Sequence, residues 1–292
     1  MEATAAVVRS ARSGSLESEL MKEEQVPVPS WENPVLASLR EKKPVVGMTL
    51  STPSVEIAAQ AADMGFDFLW IEMEHSPITL ETARNMILAT RGSRAMPFIR
   101  VPVVELWTAK RVMDMGALGV IFPFVSTAEQ ARLAASACRY PPFGGRGSGA
   151  GLATFRWPAP GGYYDFADKN IVVVTNIEDT TAMENLDAIA DTPGIDVLFI
   201  GTSDLSFSLG FRGQQDPPEL QAAIKKVVTA AHKAGKAVGR PLVDAQYYAR
   251  FVDEGFTFFQ SQTEINLMAA GAERYLSALN KWRPTVGPRP MY

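Results

Sequence analysis

The stretch Ile171-Val172-Val173-Val174-Thr175-Asn176-Ile177-Glu178-Asp179 decides the fold. Its near-continuous apolar start is what a strand needs when both faces of its sheet are covered, as in parallel sheets flanked by helices. Apolar runs of similar length recur on either side, at 45–50, 66–73, 97–101, 119–125, 197–200, 237–242 and 256–262. Between them lie segments whose apolar residues repeat at helical spacing: 55–64, 80–90, 106–115, 129–139, 182–190, 219–234, 245–254 and 264–282. Ser54 and Thr79 stand at N-cap positions, and Ser126-Thr127-Ala128-Glu129 reads as a capping box. Gly65, Gly116, Gly235 and Gly255 each follow a helical segment, where a left-handed residue ends it.

Strict alternation of strand and helix over about 250 residues describes an α/β protein of the (β/α)8 TIM-barrel type. A doubly wound open sheet is the alternative, but its Gly-rich first βα turn is missing. Ile265, Leu267, Met268, Tyr275, Leu276, Leu279 and Trp282 give the last helix more apolar surface than one barrel flank needs. It is either well buried or a contact between subunits. Residues 1–30 read as a flexible N-terminal extension and 31–292 as a single barrel domain.

The chain of 292 residues carries a net charge of −4, and its charges form no basic run, which argues against nucleic-acid binding. Its one cysteine, Cys138, excludes an internal disulfide framework and suits a reducing compartment. No apolar run approaches the roughly 20 residues that span a bilayer, and the N-terminus has no secretory apolar core. The expected location is cytoplasmic.

Barrel enzymes place their chemistry at the C-terminal ends of the strands. The polar residues found there are Glu72, Glu74, His75, Arg100, Asn176, Glu178, Thr202, Ser203, Asp204, Arg240, Asp244, Gln260 and Gln262. Glu178 and Asp204, on adjacent strands, can converge on one hard divalent cation, Mg²⁺ foremost, with Mn²⁺ or Co²⁺ possible. Two protein oxygens leave room for water and a bidentate 2-keto acid; the plainer alternative is that Asp204 only caps the helix after it. His75 follows a buried strand and can act as a base, while His232 falls on a charged helix face. Asp114, an acid at a helix C-terminus, is a candidate to orient His75. Arg100 can balance the charge of an enolate oxygen. The run Gly144-Gly145-Arg146-Gly147-Ser148-Gly149 reads as a mobile active-site loop. No strand-end lysine is placed for a Schiff base.

Five blocks carry a family resemblance: Phe68-Leu69-Trp70-Ile71-Glu72-Met73-Glu74-His75-Ser76-Pro77, Pro97-Phe98-Ile99-Arg100-Val101-Pro102, Arg139-Tyr140-Pro141-Pro142-Phe143-Gly144-Gly145-Arg146-Gly147, Asn176-Ile177-Glu178-Asp179-Thr180-Thr181-Ala182-Met183 and Phe199-Ile200-Gly201-Thr202-Ser203-Asp204-Leu205-Ser206. Together they resemble the HpcH/HpaI family of metal-dependent pyruvate aldolases, which includes 4-hydroxy-2-oxoheptanedioate aldolase, and in character they are closest to macrophomate synthase. The resemblance implies a divalent metal on Glu178 and Asp204, a catalytic His75–Asp114 dyad and an oxyanion-stabilising Arg100. It also implies that Thr202 and Ser203 receive the keto-acid carboxylate, and it favours a homohexamer with exchanged C-terminal helices. The chain departs from the aldolase pattern at Glu72-Met73, where the family carries Asp-Gly, and at Asn176, where it carries Gln. Trp70 and Tyr163 stand near positions where macrophomate synthase contacts its substrate.

The expected reaction is formation of a pyruvate enolate by oxaloacetate decarboxylation or by retro-aldol cleavage of a 4-hydroxy-2-oxo acid, with the enolate trapped by an electrophile such as a 2-pyrone. A plain 4-hydroxy-2-oxo-acid aldolase is the alternative, and a non-catalytic metabolite-binding barrel a remote one.

Overall fold

The computed structural model describes residues 31–157, 159 and 161–281. Among them, eight parallel strands close into a barrel in sequence order: β1 (Val45–Leu50), β2 (Phe68–Glu72), β3 (Met96–Arg100), β4 (Gly119–Phe122), β5 (Val172–Ile177), β6 (Val197–Ile200), β7 (Ala237–Pro241) and β8 (Phe258–Thr263), the last pairing with the first. Every expected strand is present, with ends shifted by no more than three residues, as the apolar runs dictate. The readings for residues 1–30 and for Trp282 fall outside the described residues.

Helices return the chain from the C-terminal end of each strand to the start of the next. They are α1 (Pro34–Arg40), α2 (Val55–Ala61), α3 (Leu80–Ala89), α4 (Leu106–Asp114), α5 (Ala128–Ala137), α6 (Ala153–Arg156), α7 (Tyr163–Asn170), α8 (Thr180–Glu184), α9 (Leu186–Ala190), α10 (Thr202–Ser208), α11 (Pro218–Lys233), α12 (Tyr248–Asp253) and α13 (Glu264–Ala278). Ser54 and Thr79 cap α2 and α3, and all four helix-stop glycines adopt positive φ. The capping box of α5 sits one residue later than expected. Thr127 accepts from the Gln130 N–H, and the longer Gln130 side chain reaches back to the N–H groups of Thr127 and Ser126. The segment 182–190 is two short helices meeting at Asn185, and α12 starts as a 3₁₀ turn, Ala245–Tyr247.

Helices α1, α6 and α7 were not expected, and α10 was foreseen only as a helix that Asp204 would cap, whereas Asp204 lies in its first turn. α1 is fastened by its N-cap Asn33, which accepts from the Val35 N–H and donates to the carbonyls of Leu118 and Asn170. These bonds join elements distant in sequence, so local periodicity carries no trace of them.

Two-residue alternation sorts the core into two layers. Phe68, Trp70, Phe98, Phe199 and Phe258 point into the barrel, with Phe68 and Phe258 stacked at 4.6 Å and Trp70 against Phe199 at 5.0 Å. Leu69, Ile71, Ile99, Leu198 and Phe259 point outward onto the helices. At 25–30 cal/mol per Å² of apolar area, each of these fully buried side chains contributes about 2 kcal/mol. Cys138 is fully buried among the outward layer, and burial pushes its thiol up to about 12.

The final helix is not buried within one chain. Of its described residues only Glu264 is buried, and Ile265, Leu267, Met268, Tyr275 and Leu279 are exposed. Glu264 itself clamps the loop after β1, accepting from the N–H groups of Ser51 and Thr52.

Candidate active site at the strand C-termini

The inward parity that buries Phe68, Trp70 and Phe98 continues to the ends of β2 and β3, where it turns Glu72 and Arg100 into the mouth of the barrel. The two are register partners on neighbouring strands. Arg100 Nε donates to Glu72 Oε2 at 2.6 Å, its Nη1 lies 3.1 Å from Glu74 Oε2, and its guanidinium sits 5.5 Å above the Trp70 ring. Glu72 is the hub of this cluster. Its Oε2 also accepts from the Trp70 indole at 3.1 Å, and its Oε1 accepts from the backbone N–H groups of Glu74 and His75 at 2.7 and 3.0 Å. Four donors thus converge on this one buried carboxylate. Burial works against the Arg100 charge, but Glu72 and Glu74 outweigh it and raise its pKa.

Glu74 is the less satisfied acid. Its ion pair with Arg100 is close but not aligned as a hydrogen bond, so Oε2 is buried without one. Burial raises its pKa, Arg100 and His75 pull it down, and Glu72 and Asp204 push it up again. His75 Nε2 lies 3.6 Å from the same oxygen, at the rim, with 46% of its side chain exposed.

Across the mouth, Glu178 leaves β5 fully buried. Its Oε1 accepts from the Phe124 N–H at 2.7 Å and its Oε2 from the Asn176 amide at 3.3 Å. Burial, and then the charges of Asp204 and Glu74, push the Glu178 carboxyl up to about 7, against the Phe124 bond and Arg100. Asp204 is half-buried in the first turn of α10, next to Thr202 and Ser203. Gly201 makes this approach possible, because a Cβ there would stand 2.2 Å from Glu178 Oε2. Asn176 is fully buried and its Oδ1 has no hydrogen-bond partner.

These residues fit a hard divalent cation. Neighbouring acids push up the pKa values of Glu74 and Glu178 against the pull of Arg100, an excess of negative charge that a cation would offset, and the donors are oxygens. Among the described residues no group of three or more His, Cys, Asp or Glu side chains is placed to hold a metal ion, so the cation would rest on the Glu178–Asp204 pair.

Three of the expected site residues belong elsewhere. Asp114 ends α4, and α4 runs back from the C-terminal end of β3, so Asp114 lies at the opposite end of the barrel from His75. One chain does not form the dyad. Asp114 instead accepts from Arg146 Nη2 at 2.8 Å. Tyr163 is at that same end, buried, bonded to Arg146 and 5.9 Å from its guanidinium, so it does not reach the strand-end pocket. Trp70 is fully buried beneath Glu72 and Arg100 and meets the pocket only through those two side chains.

The glycine run 144–149 is likewise not a loop of this pocket. Its Arg146 is 1% exposed, and Gly149 packs so close to Asp114 that a Cβ would stand 2.6 Å from Oδ2. Arg240 points outward and stacks on Phe251 at 3.6 Å, because its neighbour Gly239 takes the inward position. His232 is exposed on α11, its Nε2 3.1 Å from the Gly255 carbonyl.

Glu72, Glu74 and Phe124 are functional candidates that had no assigned role in the sequence. Parity was the available signal for Glu72, since it shares a face with Phe68 and Trp70.

A closed parallel barrel with charged side chains gathered at the strand C-termini is the frame of a barrel enzyme. The HpcH/HpaI aldolase/citrate lyase family profile matches residues 46–270, and the chain belongs to that family. It is 35% identical over 257 residues to hydroxypyruvate/pyruvate aldolase of Cupriavidus necator, covering 88% of this chain and 95% of that one. A solved HpcH/HpaI aldolase/citrate lyase family protein from Burkholderia cenocepacia superposes with TM-score 0.79 at 29% identity, covering 85% and 99% of the two chains. Macrophomate synthase superposes with TM-score 0.74 at 23% identity, covering 85% and 90%, a likeness of fold. No described helix is long and apolar enough to cross a membrane.

Proposed function

We propose that this chain generates the enolate of pyruvate, from oxaloacetate by decarboxylation or from a 4-hydroxy-2-oxo acid by retro-aldol cleavage. The observation that carries this reading is the buried Arg100–Glu72 pair facing the buried Glu178 across the barrel mouth. Glu178 and Asp204 would hold a divalent cation, Mg²⁺ foremost and Mn²⁺ or Co²⁺ as substitutes. When bound, such a cation polarises the keto group of a 2-keto acid.

The chain's own residues supply the rest. Arg100 offers a fixed positive charge to the oxygen on which the enolate charge collects, and Glu72 and the Trp70 ring fix its guanidinium in advance. In decarboxylation the C–C bond to the departing carboxylate breaks and its electron pair passes into the enolate, so no base is needed. In retro-aldol cleavage the substrate hydroxyl loses its proton as the C3–C4 bond breaks. His75, at the rim beside Glu74, is the group proposed to take that proton. Thr202 and Ser203 at the start of α10 are proposed to receive the keto-acid carboxylate, and Asn176 to line the keto-acid side.

His75 and Asp114 form a dyad only if Asp114 comes from a second copy of the chain. The exposed apolar side chains of α13 support a homo-oligomer, proposed as a hexamer with exchanged helices. A cytoplasmic location fits the single buried thiol.

A plain aldolase is favoured over a macrophomate-synthase-like enzyme. Trp70, which had suggested a contact to a 2-pyrone, is fully buried beneath Glu72. The test is pyruvate release from oxaloacetate by purified protein with EDTA, then with Mg²⁺ restored. Activity lost and regained supports the reading. Turnover indifferent to EDTA refutes the cation, and absence of turnover with both oxaloacetate and hydroxy-oxo acids refutes the enolate.

A further inference from the structure

Phe124 is held in a conformation that a phenylalanine does not choose. Its φ is 47°, in the left-handed region where a Cβ is strained. The surroundings leave it no alternative. Its N–H is bound by Glu178 Oε1 at 2.7 Å, and the next N–H, of Val125, donates to the Asn176 carbonyl at 3.2 Å. Ser126 Oγ bridges the Phe124 carbonyl and Asp179 Oδ2, at 3.3 and 2.5 Å. The turn is therefore tied on both sides to the strand that delivers Glu178, yet Phe124 as a residue is 43% exposed.

A second exposed aromatic residue lies on the helix that carries Asp204. Phe207 is 58% exposed and follows Asp204 by three residues in α10, which puts the two on one helix face. One proposed cation ligand is thus bonded to the backbone of an exposed phenylalanine, and the other has one a helical turn further on.

The charges around the mouth point the same way. The connections leaving β1 to β5, at 51–54, 73–79, 101–105, 123–127 and 178–179, contain no lysine or arginine. They do contain Glu74, Glu105 and Asp179, and Arg100 is already committed to Glu72 and Glu74. Past β6 the first cation is Arg212, exposed beyond the end of α10. Along these described connections, an electrophile with its own carboxylate would meet acids and no cation other than Arg100 and Arg212.

We infer that the second substrate is an uncharged carbonyl compound with an apolar substituent, which packs on Phe124, and that Phe124 sets this preference. The inference rests on the enolate reading above and names the other half of its reaction. In the condensing direction, the electron pair of the enolate C3 forms the new bond to the carbonyl carbon. The carbonyl oxygen takes up the proton that C3 gave up, so no further reactant is required.

The test separates the two readings. Exchange of the pyruvate methyl protons in D2O with Mg²⁺, followed by NMR, reports enolate formation with no second substrate present. Condensation of pyruvate with benzaldehyde and with succinic semialdehyde then gives the ratio of the two kcat/KM values. A hydrophobic contact of this kind discriminates by about 10- to 200-fold. Wild type is expected to favour benzaldehyde by at least about tenfold, and Phe124→Gly to erase most of that ratio while Phe124→Leu keeps much of it. Glycine suits the positive φ, so Phe124→Gly should not lower the thermal midpoint. If exchange is present but succinic semialdehyde is preferred, or if the preference survives Phe124→Gly, the inference is overturned and the enolate reading stands. If Phe124→Gly proves misfolded, the wild-type ratio and Phe124→Leu decide. Absence of metal-dependent exchange overturns the enolate reading, and the inference falls with it.

Discussion

Glu72 shows how one side chain can set the geometry of a whole site. It gathers the Trp70 indole, the Arg100 guanidinium and the backbone N–H groups of Glu74 and His75 onto one carboxylate. Removing its charge leaves a buried guanidinium short of a partner, which typically costs about 3–5 kcal/mol of stability. Glu72→Gln should therefore lower the denaturant midpoint. It should also cut kcat/KM for oxaloacetate about 10- to 100-fold, as loss of a charged hydrogen bond of about 1.5–3 kcal/mol predicts. An unaltered kcat/KM in folded Glu72→Gln would mean that Arg100 is positioned without it. Glu178 makes a separate prediction about pH. Burial and the neighbouring acids raise its carboxyl from 4.5 to about 7. The folded state thus holds this proton more tightly than the unfolded chain, and stability falls as pH rises through that window, by on the order of 3 kcal/mol. Without added cation, the thermal midpoint should drop between pH 5 and pH 8, and Mg²⁺ should restore more of it at pH 8. Glu178→Gln should flatten both trends; a midpoint that rises across the window in cation-free wild type would contradict the assignment. At this scale the sequence was half legible. Strand-end position picked out Glu178, Asp204 and Arg100, but strand parity was needed to see that Glu72 faces in and Arg240 faces out.

The elements that carry the site are legible where their signals are local. Apolar runs and helical spacing gave every strand, and caps and positive-φ glycines gave most helix ends. The connection from α5 to β5 was not legible. Its helices α6 and α7 are held by distant partners: Arg156 donates to Thr90, Trp157 Nε1 to the Gly116 carbonyl, and Asn170 accepts from the Asn33 N–H. The glycines at 144–149, read as a mobile loop, let the backbone lie close against α4 and α5 instead. The junction of β6 and α10 gives a prediction at this scale. Gly201→Ala places a Cβ where Glu178 Oε2 and Cβ now lie, at 2.2 and 2.7 Å. Glu178 must move away from Asp204. The variant should keep the far-UV circular dichroism of the barrel but bind Mn²⁺ about tenfold or more weakly by titration, as expected when one carboxylate ligand is misplaced. Undiminished Mn²⁺ affinity would show that Glu178 is not a ligand.

For the molecule as a whole, the direction of the helices determines what one chain can do. Each helix runs opposite to its strand, so residues at strand C-termini and residues at helix C-termini occupy opposite ends of the barrel. His75 belongs to the first group and Asp114 to the second. This was readable from the order of elements, but choosing Asp114 as an acid out of place at a helix C-terminus, and by the resemblance, left the direction of that helix out of account. A dyad is still attainable if a second copy presents its Asp114, held ready by Arg146, to the His75 of the first. The exposed apolar residues of α13 provide a surface that such an assembly would cover. Complementation tests this directly. His75→Ala and Asp114→Asn, each deficient in aldol turnover alone, are unfolded together and refolded as a mixture. In a mixed assembly, some sites combine an intact His75 from one chain with an intact Asp114 from the other. Aldol activity should then return to a sizeable fraction of wild type, while decarboxylation of oxaloacetate, which needs no base, stays high in every sample. If the mixture is no more active than the sum of its parts, although light scattering shows that assemblies have formed, the two residues do not act as a pair across chains. The proton step would then belong to His75 and Glu74 within one barrel mouth.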